Sequence, residues 1–351
     1  MNSFGKHFRV TTFGESHGKA MGGIIDGFPA GFKVDFEQIN KVVAERRPGS
    51  SAIVTQRSEP DEPEILSGFN EEGISLGTPI GFVIRNIDNR SRDYSEVKDK
   101  YRPNHADFTY DMKYGIHDYR GGGRSSARET ANWVVAGAFA QQLLSKKGIN
   151  VQTCLSAAGK VSYVKEITDL LSNNKIQEFS SALPEDARNK MEQIILEAKN
   201  EGDSIGGIVS CLITGVPAGI GDPVFEKLHA KLAQAMMSIN AAKGFEYGLG
   251  FDLASQKGSD VTDAFINNEG LIGTSTNFSG GIQGGISNGM PIFFNVAFKP
   301  TPTIMKDLPT IDTDHNQTIL SMKGRHDPCV AVRAVPVVKA MAALVLADFL
   351  S

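Results

Sequence analysis

The chain has 351 residues, a length that can bury a large core, and a formal net charge of −4 at pH 7. Its sequence pI of about 6.0 excludes the overall positive field that attracts nucleic acid, and its three cysteines have neither disulfide-framework nor zinc-ligand spacing. Because there is no apolar N-terminal core and no run of 18 apolar residues, the sequence predicts neither a secretory signal nor a membrane span.

The first part of the chain predicts two strands, a helix and a further strand. Residues 8–13 and 22–26 have the composition of strands. Asp35 is typical of a helix N-cap, and Gln38 stands at the third helical position. Residues 79–87 predict the next strand.

The middle of the chain predicts a long helix over residues 125–147, with Gly148 as its stop signal. Residues 151–161 indicate a strand, residues 184–200 a charged amphipathic helix and residues 206–215 a buried strand. The alternation of strands and helices continues through this region.

The last part predicts a helix over residues 223–237, a strand over 290–298 and a closing helix over 328–350. Two polar stretches, residues 167–185 and 306–317, are interpreted as loops. The complete pattern indicates an α/β fold, in which one domain over residues 1–351 layers sheets and helices.

Three motifs recur in the same order in the two halves of the chain. GFPAG and GVPAG each follow a strand, GISLGTPI and GISNGMPI each lead into a strand, and a Gly-Arg pair each time precedes a long helix. The first copies begin at residues 27, 73 and 123, and the second copies at residues 215, 285 and 324. The sequence therefore predicts a pseudo-symmetric duplication with half-repeats at roughly 5–147 and 203–350.

The run RGGGRSSARET at residues 120–130 is the strongest candidate for a ligand-binding loop. Three glycines allow close approach of the backbone, and the N-terminus of a helix attracts phosphate. Arg124 and Arg128 add planar donors suited to phosphate oxygens. The alternative is a glycine turn with a serine N-cap.

Two histidines stand in segments that could carry acid–base chemistry. His17 lies in the segment TTFGESHG, directly after a predicted strand, and can exchange a proton near neutral pH. Asn104 can cap a helix, which would put His105 in the first helical turn, where the helix dipole lowers the pKa. The alternatives are a turn whose histidine faces water and a capping segment with a surface histidine.

The segment GRHDPC at residues 324–329 opens the last predicted helix. Asp327, before a proline, is a natural N-cap, and Arg325 makes an anion or flavin site plausible. Residues 312–315 (DTDH) include residue types that coordinate metal ions. Further ligands at suitable spacing are missing, so no metal is predicted.

Three further polar clusters supply many donors and few nucleophiles. Arg46 and Arg47 lie at the predicted C-terminus of a helix, where the dipole alone could explain two cations. Residues 238–244 end another helix, and residues 299–303 (KPTPT) end a strand in a rigid turn. Such a set fits a multiply anionic ligand better than a hydrolase triad.

These motifs resemble those of the chorismate synthase family. The resemblance spans nearly the whole chain, in the family's order, through residues 9–18, 46–49, 102–110, 119–130, 238–244, 299–303 and 324–336. It implies a β-α-β sandwich and a lyase that converts 5-enolpyruvylshikimate 3-phosphate into chorismate and phosphate by 1,4-anti elimination. It also implies a requirement for reduced FMN without net redox change, and the last step of the shikimate pathway to aromatic amino acids.

The resemblance implies roles for individual residues as well. His17 would protonate the leaving phosphate, His105 would set the protonation of the flavin, and Asp327 would relay a proton near flavin N5. The implied FMN contacts are Arg124, Ser125, Ser126, Asn240, Ala241, Gly285, Lys299, Pro300, Thr301, Pro302, Thr303 and Arg325. The implied contacts with the substrate anions or NADP are Arg46, Arg47, Arg120, Arg128 and Arg333.

The chain departs from the family's pattern at two positions, Asn104 in place of glycine and Ala52 in place of arginine. The resemblance further implies a cytoplasmic homotetramer. Because no reductase module or dinucleotide fingerprint is present, we expect the monofunctional type, with NADP(H) relevant only as a reductant of the flavin. The alternatives are a metal-dependent phosphatase, which would need a carboxylate cluster, and a non-catalytic FMN- or phosphate-binding protein.

Overall fold

The computed structural model describes residues 1–47, 49, 53–54, 60–87, 98–119, 121–181, 183–322 and 326–351. Within these ranges the chain forms two five-stranded antiparallel sheets, with its main helices packed between them. The predicted α/β fold class is confirmed.

The first sheet is built entirely from the N-terminal part of the chain. Its strands are β1 (Ser3–Phe4), β2 (Arg9–Gly14), β3 (Ala20–Asp26), β4 (Pro63–Ile65) and β5 (Ile80–Arg85), in the order β1-β2-β3-β5-β4. In β5 the side chains of Ile80, Phe82 and Ile84 are buried and alternate with less buried residues. This period of two means that the sheet turns one face to the core.

The second sheet has the order β7-β6-β8-β14-β9. Its strands are β6 (Asn150–Ala158), β7 (Val161–Ser162), β8 (Gly207–Thr214), β9 (Ala242–Tyr247) and β14 (Ile292–Phe298). The central strands β8 and β14 are buried along almost their whole length, which explains their nearly continuous apolar sequences.

Seven α-helices are present among the described residues. They are α1 (Phe36–Arg46), α2 (Asp107–Tyr114), α3 (Thr130–Lys146), α4 (Val164–Ser172), α5 (Glu185–Asn200), α6 (Leu228–Met237) and α7 (Val330–Leu350). The Asp35 carboxylate accepts the backbone N–H of Gln38, so the predicted N-cap of α1 is confirmed. Gly148 follows α3 with φ +75°, as the stop signal requires.

Helices α3 and α7 form the centre of the molecule. A Cβ at Gly137 would lie 2.4 Å from the Cβ of Ala340, so the glycine permits the two helices to approach closely. Helix α3 also packs on α1 and β3, whereas α7 packs on α6, β6 and β8. By length and composition α7 could cross a membrane, but 72% of its most apolar window is buried inside the protein, as in a core helix.

Three small two-stranded hairpins are also present among the described residues. They are β10 (Phe265–Asn268) with β11 (Leu271–Thr274), β12 (Ile282–Gln283) with β13 (Ile286–Ser287), and β15 (Leu308–Ile311) with β16 (Gln317–Leu320). The Asp312 carboxylate accepts the backbone N–H groups of Asp314 and Asn316 in the last hairpin. The DTDH segment thus has a turn-forming role.

Several sequence predictions were wrong in their bounds. Residues 123–125 and 127–129 form 3-10 turns, so α3 begins at Thr130 instead of residue 125. Helix α6 begins at Leu228 instead of residue 223, because the preceding residues run as a turn. The stretch 167–185, predicted as a loop, contains most of α4, whose apolar residues Ile167 and Leu171 face the core. The stretch 306–317 contains β15.

Both sheets repeat one order of connection. In the first, the order along the chain is β2, β3, α1, β4, β5 and α3, with α2 inserted before α3. In the second, β6, β8, α6, β9, β14 and α7 take the same places, with β7, α4 and α5 inserted after β6, two hairpins inserted before β14 and one hairpin inserted before α7. This correspondence supports the proposed duplication, and it assigns β6, which starts before residue 203, to the second unit.

Candidate active site

A cavity of about 350 Å³ lies where the turn after β14, the start of α7 and the loop before α3 meet. This volume is within the range of small-molecule sites. Many of the predicted site residues line it: His105, Ser125, Ser126, Arg128, Asn240, Ala241, Lys299, Thr301, Pro302, Thr303, Asp327 and Arg333. Tertiary folding therefore brings together segments that are up to 228 residues apart, from His105 to Arg333.

His105 is anchored by a carboxylate that the sequence analysis did not single out. Its Nδ1 lies 2.8 Å from Oδ1 of Asp107, which is 5% exposed. The buried Arg102 donates to the same carboxylate through Nε at 2.7 Å and Nη2 at 2.6 Å. Burial opposes ionisation of Asp107, but the hydrogen bonds from Arg102 and His105 hold its pKa well below the ordinary range.

The pKa of His105 is lowered, as predicted, but for a different physical reason. Helix α2 begins at Asp107, and Asn104 is in the left-handed region at φ +58° without capping the helix. His105 thus precedes the first helical turn. Burial is the main cause that lowers its pKa, and the hydrogen bond to Asp107 partly opposes this effect. The imidazole is therefore predominantly neutral at pH 7.

Asn240 presents a buried acceptor that no donor of the described residues satisfies. Its Nδ2 donates to the carbonyl of Ser125 at 2.7 Å, which fixes the orientation of the amide. Its Oδ1 is buried and accepts no hydrogen bond within the described part of the chain. The next residue, Ala241, is held at φ +68°, an uncommon conformation for a residue with a Cβ. Such an unpaired acceptor in a cavity wall fits the N–H of a bound ligand.

The turn after β14 connects three parts of the cavity. Lys299 donates through Nζ to the carbonyl of Asn104 at 2.6 Å, and Thr301 donates through Oγ1 to the carbonyl of Asp327 at 2.9 Å. Burial and the nearby Lys243 lower the pKa of Lys299. Pro300 is exposed on the outside of the same turn.

Asp327 is not the N-cap of α7, so that interpretation was wrong. The helix begins at Val330, and Cys329 occupies the N-cap position without a side-chain bond to the helix. Asp327 instead accepts a hydrogen bond from Nη1 of Arg333 at 2.8 Å. Arg333 also donates through Nε to the carbonyl of Arg46 at 3.2 Å, and this links α7 to the end of α1.

A buried ion cluster lies behind the cavity. Arg46, 1% exposed, donates through Nη1 to Asp61 at 3.0 Å, through Nε to Thr130 at 3.0 Å and through Nη2 to the carbonyl of Ala127 at 2.6 Å. Arg128 donates through Nη1 to the other oxygen of Asp61 at 2.6 Å. Burial and the nearby Arg333 lower the pKa of Arg46 to about 9, which keeps it a cation at neutral pH.

Arg124 lies outside this cavity, in a neighbouring one of about 800 Å³. Its Nη1 donates to Glu129 at 2.8 Å and its Nη2 donates to Oγ1 of Thr12 at 2.8 Å. Glu129 is 5% exposed and also accepts from Asn132 and Trp133 in the first turn of α3. The start of α3, predicted as a phosphate site, therefore faces a carboxylate of the chain itself.

We expect Arg124→Ala to lower the free energy of unfolding by about 1–3 kcal/mol, because it deprives the buried Glu129 carboxylate of its cationic donor. Chemical denaturation measures the change. Adding Glu129→Gln to Arg124→Ala removes the unpaired charge. This double variant should recover part of the lost free energy of unfolding. An unchanged FMN affinity in Arg124→Ala and in the double variant would contradict the FMN contact that the resemblance implies for Arg124, whereas a weaker affinity in both would support it.

His17 is half-buried at the end of β2, and its ring rests on the glycine loop. Its Nδ1 lies 3.0 Å from the hydroxyl oxygen of the buried Ser16. A Cβ at Gly121 would lie 2.5 Å from both Cε1 and Nδ1 of His17, so the ring contacts the glycine directly. Gly121 has φ +97° and lines the larger cavity.

We expect Gly121→Ala to displace the His17 ring and to lower turnover by about 10²-fold, since a misplacement of about 1 Å costs that much. The matched control is Gly148→Ala. Gly148 has a similar φ of +75°, but an added Cβ there meets no atom within 4 Å. Both variants place a residue with a Cβ at positive φ, so an equal loss of turnover in the two would contradict a specific contact with His17.

The other predicted residues lie away from the cavity or outside the described residues. Gly285 accepts the backbone N–H of Leu228 at the start of α6, and Arg47 pairs with the exposed Glu62 at 3.5 Å. Arg120, Arg325 and Ala52 are outside the described residues. In the described part of the chain, no three His, Cys, Asp or Glu side chains are grouped so as to hold a metal ion.

A family model described as chorismate synthase matches residues 8–351 of the chain. The chain belongs to the chorismate synthase family. Relatives named chorismate synthase include those of Christiangramia forsetii, 56% identical over 349 residues, and Flavobacterium psychrophilum, 53% identical over 351 residues. These matches cover 99% of this chain and 97% and 96% of the relatives, respectively.

A crystal structure of a chorismate synthase is similar to the whole molecule, with a TM-score of 0.77 and 32% sequence identity. The match covers 99% of this chain and 92% of the solved one. Membership of the chorismate synthase family, predicted from the motifs, is thereby confirmed, as is the class of enzyme, a carbon–oxygen lyase.

Sequence reasoning missed the acidic residues that hold the arginines and histidine of the site. Asp107 stands two positions after His105, a weak signal by itself, and Asp61 lies in an unremarkable acidic segment. Glu129 stands within the run RGGGRSSARET, where the sequence gives no sign of its partner. No local pattern predicts which arginine each of them meets, because those partners come from other elements.

Proposed function

We propose that this chain converts 5-enolpyruvylshikimate 3-phosphate into chorismate and inorganic phosphate by 1,4-anti elimination, with reduced FMN and without net redox change. The proposal joins family membership to one observation: the cavity with His105 and Asp327 is also lined by Lys299 and three arginines, Arg102, Arg128 and Arg333. Such a set can neutralise anionic ligands and move protons within the same space.

The residues of the cavity fit FMN. Asn240 Oδ1 is a buried acceptor that receives no hydrogen bond from the residues the structure describes, which suits a ring N–H. Lys299 and the hydroxyl of Thr303 offer donors suited to the acceptor atoms of the cofactor, and the hydroxyl oxygen of Thr301, whose proton bonds the carbonyl of Asp327, offers an acceptor. When bound, reduced FMN would supply an electron to the substrate and take up the hydrogen that leaves C6.

The chain's own residues would then control charge and protons. His105, neutral and bonded to Asp107 through Nδ1, keeps its second ring nitrogen available to accept or share a proton. Asp327, oriented by Arg333, would relay the proton near the cofactor, and His17 would protonate the departing phosphate.

Loss of phosphate concentrates negative charge on the leaving oxygen. Arg128 and Arg333 line the cavity and are already oriented by Asp61 and Asp327, so little reorganisation accompanies the reaction. Preorganised cations of this kind stabilise the developing charge more than mobile side chains would.

The remaining parts of the proposal concern assembly and supply of electrons. A cytoplasmic homotetramer in the shikimate pathway is proposed, and the exposed apolar residues of the β10–β11 hairpin support self-association. Phe265, Leu271 and Ile272 there are 69%, 75% and 76% exposed. We further propose a monofunctional enzyme whose flavin is reduced elsewhere, with NADP(H) as the ultimate reductant.

An anaerobic assay with dithionite-reduced FMN and the proposed substrate tests the function. Chorismate absorbance and phosphate release are followed together, with oxidised FMN and EDTA-treated protein as controls. Equal formation of both products, only with reduced FMN and unaffected by EDTA, is the expected result. Phosphate without chorismate would indicate a phosphatase, and tight FMN binding without product would leave a non-catalytic flavin protein.

A further inference from the structure

Two candidate histidines, His17 and His105, are connected to a single buried ion pair. Arg102 and Asp107 are 6% and 5% exposed and form a bidentate pair. Asp107 contacts the ring of His105, and Nη2 of Arg102 donates to the carbonyl of Gly121 at 3.1 Å. Gly121 in turn supports the ring of His17.

The carboxylate of Asp107 does not serve helix α2, although it is the first residue of that helix. No side-chain bond caps α2. Both oxygens instead point back along the chain, where Oδ2 accepts from the backbone N–H and Nε of Arg102 and Oδ1 accepts from Nη2. A helix-capping role therefore does not explain the arrangement.

The geometry also determines which nitrogen of His105 carries the proton. An ionised carboxylate only accepts hydrogen bonds, so the Nδ1 atom, 2.8 Å away, must be the donor. A neutral imidazole has one proton, and Nε2 is consequently left as the acceptor at a residue that lines the cavity.

We propose that the Arg102–Asp107 pair positions both histidines: Asp107 fixes His105 in the Nδ1–H tautomer, and Arg102 holds the Gly121 turn against which His17 packs. Neither residue is assigned contact with the reacting atoms, so both are positioning residues. This inference rests on the proposed function for its kinetic consequences only.

Asp107→Asn should reverse the tautomer of His105. The position of Oδ2 receives two hydrogen bonds from Arg102, so the single amide oxygen of asparagine is expected there. The NH₂ group then faces Nδ1 of His105, which must become the acceptor. We expect kcat to fall by about 10- to 100-fold while KM changes by less than about threefold.

The chain offers a matched control on the same helix. Asp111 accepts from Nδ1 of His117 at 2.7 Å, and the two side chains are 18% and 12% exposed. His117 does not line the smaller cavity. Asp111→Asn should alter the signals of His117 and leave kcat within about twofold.

The measurement is long-range ¹H–¹⁵N correlation on ligand-free protein labelled in its histidines, followed by the anaerobic assay. The unmodified protein should show His105 as the Nδ1–H tautomer at neutral pH, and Asp107→Asn should show the Nε2–H form. Arg102→Lys keeps the positive charge but loses the planar guanidinium that donates to both Asp107 oxygens. This variant should shift the His17 signals and lower kcat.

An Nε2–H tautomer in the unmodified protein would overturn the proposal without any variant. So would a loss of kcat in Asp111→Asn equal to that in Asp107→Asn, or unchanged His17 signals in folded Arg102→Lys. Because the tautomer is measured without ligands, it tests this inference even where the assay yields no chorismate.

Discussion

His17→Ala is expected to lower turnover by about 10²- to 10⁴-fold, the usual contribution of a general acid, while the fold and FMN binding are retained. The ring is half-buried against Gly121 and does not line the smaller cavity, so its removal leaves the walls of that cavity intact. Single-turnover kinetics with reduced FMN measure the loss, and flavin fluorescence measures the affinity.

His7→Ala is the control for this experiment, since His7 is an exposed histidine near the start of β2. Its turnover should stay within about twofold of the unmodified enzyme, as is usual for surface substitutions. Turnover of His17→Ala within about threefold of the unmodified enzyme would exclude His17 as the acid. Loss of FMN binding in His17→Ala would assign His17 a structural role instead.

Asp61→Ala is expected to lower the free energy of unfolding by about 3–5 kcal/mol, because it leaves two buried arginines without their shared anion. Asp61 is 0% exposed and lies 3.0 Å from Nη1 of Arg46 and 2.6 Å from Nη1 of Arg128. Chemical denaturation of folded protein at neutral pH measures the change.

The control for Asp61→Ala is Glu62→Ala, which removes the neighbouring carboxylate. Glu62 is 71% exposed in its pair with Arg47 at 3.5 Å, and exposed pairs contribute at most about 1 kcal/mol. Equal losses in the two variants would contradict the argument from burial.

The stabilisation by Asp61 also has a predicted dependence on pH. Burial would raise its pKa, but Arg46 and Arg128 together lower it below the ordinary 3.8. The stabilisation is therefore complete above the unfolded-state pKa and is lost as pH falls through the lower, folded-state pKa. The difference between the unmodified protein and Asp61→Ala should accordingly shrink only in strong acid.

The family, the class of fold and most of the secondary structure could be predicted from the sequence. Strands such as β5 and β14 carry short-range patterns of apolar residues, and the N-cap at Asp35 needs only the next turn of the chain. Errors arose where a polar stretch conceals a helix, as in α4, and where 3-10 turns precede an α-helix, as before Thr130.

The sequence by itself determined which cationic and hydroxyl-bearing loops exist, because glycine turns, prolines and helix ends are local properties of a few neighbouring residues. Only the tertiary structure decided that Arg124 binds Glu129, that Arg46 and Arg128 share Asp61, and that Asp107 holds His105. Buried charges require partners, and which partner is within about 3 Å depends on how α3, α7 and the two sheets pack.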